Sequence, residues 1–143
     1  MEQVQAEVDL AALRTIIEQL QLALPQVRSV LVTRSDGLPL VKTASQVDAA
    51  KVAAMAATSI SLNKRIISTV DAGDLTETSI SGSQGQILLY AAGPRAVLAL
   101  TAQSKANVAM INFKARPAAR AIADAFALAS PSSARGENSA SLS

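Results

Sequence analysis

From Val47 to Val70 the chain runs 24 residues without a Gly or a Pro and places apolar residues on two helical stripes. At about 100° per residue, Val52, Met55, Ser59, Leu62, Ile66 and Val70 share one stripe. Ala53, Ala56, Ile60, Asn63 and Ile67 form a second, about 100° further round. Lys51, Ala54, Thr58, Ser61, Arg65 and Ser68 make up the remaining face. A helix lying on one sheet needs a single apolar stripe. Either this helix has a wide buried face, or the first stripe meets a sheet and the alanine-rich second stripe meets another helix, one from a second chain included.

The segments on either side alternate between helical and extended patterns. Leu10, Leu13, Ile17, Leu20 and Leu24 lie on one helical face, with Asp9 as a candidate N-cap and Pro25 as the stop. Val27 to Thr33 is short and β-branched, Ser35-Asp36-Gly37 is a turn, and Leu38 to Thr43 returns as a strand. Pro39 suits an edge position. Gly73 follows the long helix as its expected terminator. Leu75 to Ser81, Gln86 to Ala91 and Arg95 to Thr101 then form a meander joined by Gly82-Ser83-Gln84-Gly85 and Gly93-Pro94. A last helix runs from the cap Asn107 to about Leu128, with Val108, Ile111, Ala115, Ala118, Ile122 and Phe126 on one face and Pro117 on the other. The expected order is α-β-β-α-β-β-β-α, an α+β domain built on one antiparallel sheet of five strands. It spans residues 1–129, and Ser130 to Ser143, with six serines and no periodicity, is expected to be a disordered tail. The Thr-rich strand Leu75 to Ser81 carries no Lys or Pro, so little blocks its pairing with another strand. Together with the spare helical stripe, it points to a symmetric dimer.

Composition narrows the chemistry. The chain has no Cys, His or Trp, which removes disulfides, Cys or His metal ligands and His-based catalysis. No apolar run approaches the roughly 20 residues that span a bilayer. The first residues, MEQVQAEVDL, are acidic and show no signal peptide, in keeping with a cytoplasmic protein. Ser61-Leu62-Asn63-Lys64 matches Ser-x-x-Lys, but its companion motifs are missing. Without a Gly-x-x-x-x-Gly-Lys loop the chain is not expected to bind nucleoside triphosphate alone. Residues 95–120 hold Arg95, Lys105, Lys114, Arg116 and Arg120 against no acid. That is either a solvated face or a site for an anionic membrane or acidic partner. With 2% aromatic residues, nucleic acid is not an expected partner.

The run VRSVLVTRSDGLPLVKT, the helix VDAAKVAAMAATSISLNKRI, the hairpin GQILLYAAGPRAVLALTA and the helix ANVAMINFKARPAARAIADAF together resemble the Roadblock family, which includes dynein light chains of the roadblock type and bacterial MglB. The strongest element is the Ser-Asp-Gly-Leu-Pro-Leu turn before the Ala-rich helix. The resemblance implies that the first and last helices cover one face of the sheet and the middle helix the other. It also implies a homodimer through the middle helices and third strands, placing Ala53, Ala56, Ile60 and Ile67, with Thr76, Thr78 and Ile80, in the interface. The implied function is non-enzymatic regulation of a small Ras-like GTPase, activating or co-regulating as in MglB-like members, with no cofactor. A scaffold or signalling adaptor that leaves nucleotide turnover unchanged is the alternative. The partner face is expected at Lys51, Ala54, Thr58, Ser61 and Arg65.

Overall fold

The computed structural model describes residues 8–129. The elements are α1 (Leu10–Ala23), β1 (Val27–Arg34), β2 (Pro39–Lys42), α2 (Ala49–Thr69), β3 (Thr78–Ser81), β4 (Gln86–Ala92), β5 (Ala96–Ala102) and α3 (Val108–Ala129). The strands form one antiparallel sheet in the order β2-β1-β5-β4-β3. The order and the antiparallel pairing are those the patterns predict. The Ser-rich segment 130–143 lies outside the described residues.

Strand alternation divides the sheet into two apolar faces. Val30, Val32, Leu88, Tyr90, Leu98 and Leu100 point to the side covered by α1 and α3, where they meet Leu13, Ile17, Ile111 and Ile122. Leu31, Leu89, Val97 and Ala99 point to the other side, which α2 covers alone. The first and last helices therefore share a face and the middle helix takes the opposite one.

Each helix starts on a side-chain cap. Asp9 accepts from the amides of Ala11 and Ala12, Asp48 from Lys51, and Asn107 from Met110. The end of α2 differs from the sequence reading. The residue that closes it is Asp71, in the left-handed region at φ +55°, two positions before Gly73. The Ala72 amide donates to the Ile67 carbonyl and the Asp71 amide to Ser68, the paired bonds of a Schellman end. Asp tolerates this conformation better than most side chains, which lets the helix stop before the glycine does.

The two sheet edges are unlike. β2 carries Pro39 and Lys42 and is irregular in register opposite Val32 and Thr33, three features that discourage further pairing. β3 is regular against β4 from Thr78 to Ser81 and has none of these. It is shorter than the sequence suggested. Residues 75–77 lie outside the strand, where Leu75 packs against the cluster under α2 and Glu77 pairs with Arg116 of α3 at 2.7 Å.

Candidate interaction surface

α2 is seated on the sheet by its small residues. Ala53, Ala56 and Ile60 are buried within the single chain against Leu31, Leu89, Val97 and Ala99, with Ala57 buried beside them. The assignment of stripes made from the sequence is thereby reversed. Ala53, Ala56 and Ile60, expected between two chains, have no surface left to offer one, and Ile67 is half-buried. The physical reason lies in the sheet. Its face under α2 carries Leu31, Leu89 and Val97, and the alanines of α2 let the helix lie close over them, with Ile60 as the one large side chain it buries there. Both stripes are apolar, and hydrophobicity by itself did not distinguish them.

The stripe left outside is the bulky one. Met55, Leu62, Ile66 and Val70 are 63%, 54%, 49% and 63% exposed, and Val52 and Ser59 beside them are half-buried. These residues follow one another at intervals of three, four and seven, so they form a continuous ridge along the helix. Contiguous exposed apolar surface of this kind is uncommon on a small monomeric chain.

The same side of α2 borders the open edge of the sheet. The Asn63 side chain donates to the hydroxyls of Ser59, at 3.1 Å, and Thr78, at 2.8 Å, tying the flank of the helix to β3. Ile80 lies opposite Ile87, on the α2 side, and is half exposed. Of the three strand positions expected at an interface, Ile80 thus stands at the edge, Thr78 is half-buried and bonded to α2, and Thr76 is exposed but outside the strand.

The third face of α2 is exposed throughout, at Lys51, Ala54, Thr58, Ser61 and Arg65. The Thr58 hydroxyl donates to the Ala54 carbonyl at 2.9 Å, so it is committed to its own helix. This face abuts the β1–β2 turn. Gly37, at φ +96°, lies so near that a Cβ built on it would be 3.4 Å from the Ala54 Cα. The turn is held by Arg34 and Asp36, paired at 2.6 Å, and by the Arg34 amide donating to the Leu38 carbonyl. The Ser-Asp-Gly-Leu-Pro-Leu run singled out in the sequence therefore adjoins the candidate partner face. Ser61 and Lys64, the Ser-x-x-Lys pair, are both exposed on α2. Among the described residues no three acidic side chains come together as a metal-holding group.

An open sheet carrying two helices on one face and a single helix with an exposed apolar ridge on the other defines a small α+β domain with one apolar helix face left uncovered. The chain belongs to the Roadblock/LC7 family, whose domain model matches residues 15–102. Its fold is similar to that of an MglB solved in a tetrameric arrangement, with a TM-score of 0.76 at 15% identity over 90% of this chain and 95% of that one. Myxococcus xanthus MglB gives the same TM-score and coverage at 11% identity. A Roadblock/LC7 domain from Streptomyces avermitilis gives 0.70 at 20% identity, over 76% of this chain and 92% of that one. No curated protein is close enough in sequence to count as a relative. No helix among the described residues is long and apolar enough to cross a membrane.

Proposed function

We propose that this chain is a non-enzymatic, cytoplasmic homodimer that regulates a small Ras-like GTPase. The observation that carries the dimer is the ridge Met55, Leu62, Ile66 and Val70 bordering the unprotected edge strand β3. A two-fold axis beside that edge pairs ridge with ridge and extends the sheet from one chain into the other. Leu62 and Ile66 join Ile80 in the proposed interface, in place of Ala53, Ala56 and Ile60.

The family and the similarity in fold to MglB support the GTPase as partner, and its proposed docking face is Lys51, Ala54, Thr58, Ser61 and Arg65. This face stays open once the sheet and the twin chain have taken the other two. Small side chains and the adjoining Gly37 turn keep it shallow, which suits the broad surface of a globular partner.

The test is single-turnover GTP hydrolysis by a Ras-like GTPase encoded beside this chain. Added chain is expected to bind and to accelerate hydrolysis. Binding with an unchanged rate means a scaffold, and no binding removes the GTPase reading.

A further inference from the structure

A second exposed apolar feature lies on the opposite side of the sheet. α3 buries Ile111, Ala115, Ala119, Ile122 and Phe126, and its outer side presents Met110 and Phe113, 50% and 72% exposed, followed one turn on by exposed Pro117. The chain has one Tyr, two Phe and no Trp. Tyr90 and Phe126 are in the core, so one aromatic ring of three is spent on the surface. Exposed Lys114 and Arg120 flank this ridge on either side, and exposed Lys105 stands in the loop before the helix. From Lys105 to Arg120 there is no acidic residue. Ion pairs among the described residues join Arg34 to Asp36 and Arg116 to Glu77, which leaves out these three cations. Beside the ridge an open depression of about 480 Å³ has Arg116 and Arg120 on its wall with Tyr90 and Gly93 behind.

We propose that this part of α3 docks on an anionic phospholipid surface. Phe113 and Met110 enter the boundary between headgroups and acyl chains, and Lys105, Lys114 and Arg120 meet lipid phosphates. An apolar helix stripe with cations on both flanks is the pattern of an interfacial helix, and long basic side chains reach the headgroups while their stems stay apolar. The shape favours lipid over an acidic protein. The ridge is convex and short, and a bilayer yields to a protruding ring, whereas a folded partner needs a matching groove. Asp124, one turn beyond Arg120, confines the contact to the first half of the helix. Because α2 lies on the other face of the sheet, membrane contact here leaves the α2 surface open.

Vesicle flotation of the full chain tests this independently of any GTPase. The chain is expected to float with phosphatidylcholine vesicles containing about a third phosphatidylglycerol, not with phosphatidylcholine alone, and less at high salt. Lys114→Gln and Arg120→Gln are each expected to weaken binding about fivefold. Phe113→Ser, at a solvated position, is expected to weaken it about tenfold or more with unchanged melting. Equal affinity for neutral and anionic vesicles, no flotation, or variants that bind like the parent chain would overturn the proposal. A change in particle mass on Phe113→Ser would also overturn it, by showing that a second copy covers the ridge.

Discussion

Tyr90 shows how single residues join the layers of this molecule. Its ring is in the core below α3 and its hydroxyl donates to the Asn112 side chain. Burial, with the nearby Glu77 carboxylate adding to it, holds the phenol above its ordinary value of 10, and Arg116 opposes this only in part. The folded chain thus keeps its proton where the unfolded chain loses it. Stability from this group is complete below pH 10 and falls as pH rises above 10. As the one tyrosine in a chain without Trp, its tyrosinate absorbance reports on this site alone. The absorbance is expected to rise only with alkaline unfolding. Tyr90→Phe is expected to flatten the alkaline fall in stability and to cost about 1 kcal/mol at neutral pH, read by denaturant titration. Asp71 offers a second test. Its left-handed backbone strains any side chain, so Asp71→Gly is expected to raise stability by about 1 kcal/mol. Neither site was legible in the sequence. The Tyr90–Asn112 bond joins residues brought together only by the fold, and Gly73 was the more obvious place for the helix to stop.

At the scale of elements, most of the architecture was legible because periodicity and turn chemistry agreed. The caps Asp9 and Asn107, the Asp36-Gly37 turn and the edge position of the Pro39 strand are each set by local chemistry. The orientation of α2 was not, since two apolar stripes compete and the choice depends on how full the opposing sheet face is. Ile60 and Leu62 separate the two assignments. Ile60→Asp buries a charge under α2 and is expected to unfold the chain, at a cost of about 3–5 kcal/mol. Leu62→Asp falls on the exposed ridge and is expected to leave the fold of the separate chain within about 0.5 kcal/mol while abolishing the dimer. Denaturation at high dilution, where chains are separate, distinguishes the two variants. Ile80→Lys is expected to weaken association, because a lysine on an edge strand blocks pairing.

For the whole molecule the proposed two-fold arrangement has a consequence for shape. Extending the sheet through β3 keeps both α2 helices on one side and both α1–α3 layers on the other. The two proposed surfaces, one for a GTPase and one for lipid, then face opposite ways. Thr58→Arg, on the exposed third face of α2, is expected to block GTPase binding in a pull-down while the particle stays dimeric. If that variant binds normally, the partner docks elsewhere. The function was the least legible level, since no side chain here carries a catalytic signature and a docking surface is defined only once the fold has decided which residues remain outside. The proposed regulatory dimer rests on pairing at the α2 ridge, and light scattering of the full chain at micromolar concentration measures this directly. The predicted result is twice the 14.7 kDa chain mass for the parent protein and a single chain mass for Leu62→Asp. A parent protein that scatters as one chain, or a Leu62→Asp variant that stays paired, would contradict it.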